Sequence, residues 1–377
     1  MEYIALKDVC EINMGQSPDS SSYNNDSKGI PFFQGNADFG ERYPVTRIWC
    51  DTPVKIAKPE DILISVRAPI GALNLAKEKC CIGRGLAALR PDKNKVSPEF
   101  IFWLLKGKNV ELNRKGTGST FKAISKKILE EIRIPKISLN KQQEYAGILE
   151  EIYKIIQLRK EEVKCLDDLI KARFVEMFGD PVNNEKGWIT DTVDNLCIEI
   201  YGGGTPSKVH PEYYEDGDIP WVSSKDMKTD ILTDSQIKIN QMGVENSTAR
   251  MVPVNSVIMV IRSGILKHTL PVAINAVPIT VNQDLKVFIP GERILTRFLA
   301  VQFKMHEKDI LTGVRAVTAD NIEFNSLKQR KLIVPSIELQ QEYVLFLEQV
   351  DKSKLEVQKA LDKTQMLFDS LMQKYFG

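Results

Sequence analysis

The residues best placed to do chemistry lie in two glycine-rich loops that also carry small hydroxyls. Met14-Gly15-Gln16-Ser17-Pro18 and Gly202-Gly203-Gly204-Thr205-Pro206-Ser207-Lys208 each follow an apolar run that reads as a strand. Glycine lets backbone amides approach phosphate oxygens, and hydroxyls or lysine donate to the same oxygens. The candidates in these loops are Gln16, Ser17, Gly203, Thr205, Ser207 and Lys208. A second pair of segments runs from Gly116 to Lys122 and from Gly313 to Val317. It mixes glycine, hydroxyls and a cation, which suits a segment laid along a sugar–phosphate backbone. Its candidates are Ser119, Thr120, Lys122 and Arg315. Arg67 and Arg262 end matching apolar runs, and Lys267 follows the second. Arg84 lies in the loop Ile82–Gly85, and Asn282 and Gln283 lie in its match, Val281–Asp284. Arginine can bond guanine bidentately and glutamine can bond adenine likewise. Unlike residues at like places are what two readers of different base sequences would carry.

Motifs for turnover are missing. The three histidines, at 210, 268 and 306, are too scattered for a metal site. There is no H-E-x-x-H or G-x-S-x-G, and the second glycine loop fails the G-x-x-x-x-G-K-[ST] spacing. The one Asp-Pro, Asp180-Pro181, is followed by valine, so the pocket motif of base methyltransferases is absent. The chain is therefore expected to be non-catalytic, with no metal and no cofactor of its own. No apolar run approaches 18 residues, so no membrane span is expected. The start, Met1-Glu2-Tyr3-Ile4-Ala5-Leu6, lacks a basic, apolar export signal. Six scattered cysteines without C-x-x-C suit reduced thiols. A cytoplasmic protein is the expectation.

The elements that must hold these loops apart repeat themselves. Lys141-Gln142-Gln143-Glu144-Tyr145 opens an amphipathic pattern ending Met177-Phe178-Gly179, and Leu339-Gln340-Gln341-Glu342-Tyr343 opens another ending Tyr375-Phe376-Gly377. The offset is 198 residues at both ends. Within the first pattern Tyr145, Leu149, Ile152, Ile156, Arg159, Val163, Leu166, Ile170, Arg173 and Met177 alternate spacings of four and three. Tyr343, Leu347, Val350, Lys354, Val357, Leu361, Thr364, Phe368, Leu371 and Tyr375 repeat that alternation. A 3.5-residue period keeps one stripe facing a partner helix. The polar exceptions fall at different positions in the two stripes, which favours pairing one helix of each kind within the chain. An antiparallel pair turns a direct sequence repeat into an inverted spatial one. Leu149, Ile152, Ile156, Val163, Leu166, Ile170, Leu347, Val350, Val357, Leu361, Phe368 and Leu371 are the candidates for helix pairing and partner docking.

The larger segments match as well. Gly29-Ile30-Pro31-Phe32 corresponds to Asp218-Ile219-Pro220-Trp221, and Asp61–Val66 and Ser256–Ile261 read as buried strands. Ser97–Leu105 fits a helix with Ser97 as N-cap and Pro98 first, and Thr296–Phe303 is its counterpart. The fold class is α+β, with two similar mixed domains joined by two long helices packed as an antiparallel coiled coil. The expected divisions are 1–140, 141–180, 185–336 and 337–377, with a polar linker at Asp180–Gly187. Net charge is +1 overall, yet residues 1–140 carry 22 Lys+Arg against 16 Asp+Glu. Residues 185–336 carry 17 against 18, so the positive excess sits in the first domain.

In this order, twice, these features resemble the specificity (S) subunit of type I restriction–modification systems. The carriers are the Met-Gly-Gln-Ser-Pro and Gly-Gly-Gly-Thr-Pro-Ser loops, the Ile-Pro-Phe and Ile-Pro-Trp segments, the Gln-Gln-Glu helix starts and the ending Arg173-Phe174-Val175-Glu176-Met177-Phe178-Gly179. The resemblance implies two target recognition domains, at 1–140 and 185–336, each reading half of a bipartite site in double-stranded DNA. It implies spacer helices that dock two methyltransferase (M) subunits, joined by restriction (R) subunits. S-adenosylmethionine, ATP and Mg are then expected on those partner subunits and not on this chain. Two other readings fit the same residues: the recognition subunit of a bifunctional type II restriction–methylation enzyme, or a coiled-coil scaffold without nucleic acid.

Overall fold

The helix pattern that begins the repeat is longer than its apolar stripe. In a computed structural model, which describes residues 2–117, 122–313 and 320–377 and the strand backbone at 315 and 316, two helices of 40 residues run Leu139–Phe178 and Ile337–Phe376. Both ends keep the 198-residue offset. Each helix starts three residues before its Gln-Gln-Glu motif. The reason is a serine cap: Ser138 Oγ accepts from the Lys141 N–H at 3.4 Å, and Ser336 Oγ accepts from the Leu339 N–H at 3.4 Å.

The chain divides into two units, Met1–Glu161 with Val357–Gly377, and Glu162–Glu356. Each unit thus takes the first part of the helix that follows its domain and the last part of the other helix. In the first unit a four-stranded antiparallel sheet orders Cys10–Met14, Leu86–Pro91, Ile62–Ser65 and Leu73–Leu75. The second repeats that order with Cys197–Gly202, Leu285–Pro290, Val257–Val260 and Val272–Asn275, and adds Ile231–Leu232 at the edge. All four residues of Ile62–Ser65 and of Val257–Val260 are buried. Side chains alternate across a strand, so a strand buried throughout must face a core on each side. Ile62 and Ile64 pack with Phe100 and Leu149, whereas Leu63 packs with Phe33 and Leu86.

A second sheet in each unit carries one parallel pairing. Phe32 lies opposite Cys81 in the first, and Trp221 opposite Thr280 in the second. This pairing brings the Ile-Pro-Phe and Ile-Pro-Trp segments beside the Ile82–Gly85 and Val281–Asp284 loops. The short helix Pro98–Gly107 is capped by Ser97, whose Oγ accepts from the Phe100 N–H at 3.3 Å. Its counterpart is Thr296–Met305. The six cysteines are unpaired, and burial pushes the Cys10, Cys80 and Cys197 thiols up to about 12. Among the described residues no helix is long and apolar enough to cross a membrane.

The two long helices run antiparallel in both units. In the first, the Tyr145 and Tyr375 rings stack at 3.8 Å, and Arg159 donates to the Ala360 carbonyl and to Thr364 Oγ1. In the second, Lys354 Nζ lies 2.6 Å from Asp167 Oδ1, Arg173 pairs with Glu342 at 3.2 Å, and the Tyr343 hydroxyl donates to the Ile170 carbonyl at 2.9 Å. All twenty stripe positions are buried or half-buried. The polar exceptions therefore find polar partners on the opposite helix, which is how such residues fix register.

The first glutamine of each Gln-Gln-Glu motif is buried and locks its helix to its domain. Gln142 accepts from the Ser97 N–H at 3.0 Å and donates to the Ile137 carbonyl at 3.0 Å. Gln340 accepts from the Leu295 N–H at 2.9 Å and donates to the Arg293 and Pro335 carbonyls. Gln142→Ala or Gln340→Ala leaves buried backbone groups without partners and is expected to destabilise the chain by about 1–3 kcal/mol. Denaturant titration checks this against exposed Gln143→Ala, whose shift should stay within about 0.5 kcal/mol. Equal midpoints for the Gln142 and Gln143 variants would remove the lock.

Candidate nucleic-acid interface

In the first unit the candidate loops are stitched to one another by backbone hydrogen bonds. The Gly15 N–H donates to the Leu86 carbonyl at 2.9 Å, and the Gln16 N–H to the Ile82 carbonyl at 3.0 Å. A Cβ on Gly15 would stand 2.2 Å from the Gly83 carbonyl oxygen, so only glycine allows this approach. Ser17 Oγ accepts from the Arg84 N–H at 3.3 Å. The Val66 N–H donates to the Gly85 carbonyl at 2.9 Å, Arg67 bridges Ala123, and the Ala68 N–H donates to the Lys122 carbonyl at 3.1 Å. Three sequence-distant segments and the first loop thus form one edge. Gln16, Arg67, Arg84 and Lys122 are exposed on it, and none of the three cations pairs with a described carboxylate. This arrangement can neutralise phosphates and reach base edges together.

The second unit builds the same edge from its own residues. The Gly204 N–H donates to the Val281 carbonyl at 3.1 Å, and a Cβ on Gly203 would lie 1.8 Å from that oxygen. The Ile261 N–H donates to the Asp284 carbonyl at 2.9 Å, and Arg262 bridges Asn321 as Arg67 bridges Ala123. Thr205 Oγ1 donates to Gln283 Oε1, joining two predicted contact residues. Ser207 Oγ accepts from the Val209 N–H at 3.4 Å, and Lys208 and Lys267 are exposed.

Several expectations need correcting. Asn282 is buried, with Oδ1 accepting from the Asp284 N–H at 3.1 Å and Nδ2 donating to Asp284 Oδ2 at 3.3 Å. It shapes the turn and does not face outward as a base reader would. Arg262 is exposed, but its Nε and Nη2 both lie 2.6 Å from Asp284 Oδ1. Ser119 and Thr120 lie outside the described residues, and Arg315 is placed by its backbone alone, opposite Asn321. The twelve stripe residues fit helix pairing and domain packing. Leu149, Ile156, Leu347, Val350 and Phe368 are buried, and the other seven are half-buried. Exposed apolar residues on the long helices are Ile148, Ile155, Leu158, Leu169 and Val175, and Leu345, Leu355, Met366 and Leu367.

Sequence reasoning missed two positioning tyrosines. The Tyr23 hydroxyl donates to the Pro18 carbonyl at 3.0 Å, and the Tyr214 hydroxyl donates to the Pro206 carbonyl at 2.6 Å. Burial raises both phenol pKa values, which keeps them donors. Each tyrosine follows the loop proline within eight residues in both repeats, and that recurrence was the available signal. Gln34 was missed too: its carbonyl accepts from the Gly85 N–H at 3.1 Å, and its exposed side chain lies on the loop edge beside Arg84.

The type I restriction modification DNA specificity domain matches residues 1–166 and 185–364, one match for each repeat. The chain belongs to that family. Relatives of this specificity family include the MjaX type I restriction enzyme specificity subunit of Methanocaldococcus jannaschii, 46% identical over 157 residues, which are 42% of this chain and 37% of that protein. The EcoR124I/EcoR124II specificity subunit of Escherichia coli is 39% identical over 153 residues, 40% of this chain and 38% of that one. These alignments therefore span less than two-fifths of either relative. The crystal structure of the type I restriction–modification S subunit from M. genitalium has the same fold over 100% of this chain and 96% of its own, with a TM-score of 0.61 at 15% identity.

Proposed function

We propose that this specificity-family chain reads a bipartite site in double-stranded DNA, one half with each repeat, and performs no chemistry itself. The observation that carries the reading is the recurrence of one stitched loop edge in both units, with different exposed side chains: Arg84 in one and Gln283 in the other. Two methyltransferase subunits dock on the exposed apolar faces of the long helices, and restriction subunits join that core. S-adenosylmethionine, ATP and Mg act on those partner chains, in the cytoplasm. The experiment is to map methylated adenines in DNA from cells carrying this chain and its methyltransferase partner. Two short sequences at a fixed gap are expected, and a variant at Gln283 should change only one of them. Methylation by this chain alone, or a single continuous site, would refute the proposal.

A further inference from the structure

The two loop edges share a backbone register but not a charge. The bridged triad Arg67, Ala123 and Thr117 of the first unit matches Arg262, Asn321 and Arg315 of the second. The hydrogen bonds from Val66 to Gly85 and from Ile261 to Asp284 equate Gly85 with Asp284 and Arg84 with Gln283. Lys122, which precedes Ala123, stands where Asp320 precedes Asn321. At these six places the first repeat has three cations and no carboxylate, whereas the second has two cations and two carboxylates.

One of those carboxylates is already engaged. Arg262 lays Nε and Nη2 on Asp284 Oδ1, both at 2.6 Å, while the other oxygen, Oδ2, takes Asn282 Nδ2 at 3.3 Å. Asn282 is buried, so Asp284 is held from below and faces Arg262. The arginine is about half exposed, with 48% of its side-chain surface open. A solvent-open ion pair of this kind is weak, and a phosphate offers the same guanidinium a stronger partner.

We infer that Asp284 is a latch on Arg262, cancelling that charge until a phosphate of the bound half-site takes the guanidinium over. Asp284 thereby lowers the non-specific DNA affinity of the second unit, while the first unit supplies most of the salt-dependent attraction. This rests on the DNA-reading function proposed above.

The test uses the full chain with its methyltransferase partner and a random-sequence duplex longer than two helical turns. Anisotropy titrations across about 50–200 mM salt give the slope of log affinity against log salt, which changes by about 0.9 for each phosphate contact. Asp284→Asn is expected to steepen the slope by about one and to tighten binding about threefold to fourfold at the low-salt end. Asp284→Gly, which restores the residue of the first repeat, should do the same and guards against one variant misfolding. In an Arg262→Ala background neither change should alter binding. Unchanged binding for both Asp284 variants, or weakened binding that persists without Arg262, overturns the latch. Wild-type protein that binds no duplex at any salt overturns the DNA-reading function as well.

Discussion

Phe376→Ala and Phe178→Ala should each cost about 3–5 kcal/mol, but in different units. Both rings end a long helix, 198 residues apart, and both plug a domain core. Phe376 packs on Phe100 with centroids 5.2 Å apart, and Phe178 packs on Phe298 at 5.1 Å. Phe100 and Phe298 are themselves 198 apart and fully buried. Phe178 also meets Phe174, Trp188 and Tyr343, so its cavity would be walled by rings that cannot easily close. A loss of this size is a large part of the stability of an ordinary domain, about 5–15 kcal/mol. A chain of two units need not unfold in one step, so one melting temperature would blur the result. Hydrogen exchange resolves it. Phe376→Ala should strip protection from Pro98–Gly107 and spare Thr296–Met305, and Phe178→Ala should do the reverse. Loss of protection in both helices with either variant would mean that the aromatic plugs do not act unit by unit.

The helices were legible because their signal is local and strongly periodic. A stripe such as Leu149, Ile152 and Ile156 obeys one rule over ten positions, and a single exception such as Arg159 cannot hide it. The core strands were legible for a similar reason: Ile62–Ser65 is apolar on both faces, and only burial on both sides accommodates that. The capping serines were harder to see, because Ser138 and Ser336 lie before the motif that draws the eye. What sequence could not show is which side chains on a loop are already occupied. Asn282 looks like a base reader by type, and only the fold reveals its oxygen on the Asp284 amide. Arg262 matches Arg67 by position, yet a carboxylate 22 residues later engages it. Tyr23 and Tyr214 act on a carbonyl of their own loop, a role that residue type does not signal. Local pattern specifies the scaffold, whereas the chemical state of a loop depends on long-range register.

Removing the three cations of the first edge together, Arg67→Ala with Arg84→Ala and Lys122→Ala, should weaken DNA binding on the order of 100- to 1,000-fold. The three differ in kind. Lys122 leaves the edge where the Ala68 N–H meets its carbonyl, beside Arg67, so both follow the backbone that would track phosphates. Lys122→Ala should therefore weaken all sequences alike and reduce the salt slope by about one. Arg84 stands at the place that Gln283 takes in the other repeat, with its amide fixed by Ser17, which suits a base contact. Arg84→Ala should cost about 1–3 kcal/mol on the cognate site and relax one base in one half-site. Because the three side chains share one edge, their losses need not add, and the triple variant sets the ceiling for what charge contributes there. The equivalent removal of Arg262 and Lys267 should cost less, since Arg262 already has Asp284. Anisotropy titration of the full chain with the proposed methyltransferase partner reads all of these. A triple variant that binds cognate DNA like the wild type would show that the first edge does not face DNA, whatever its charge.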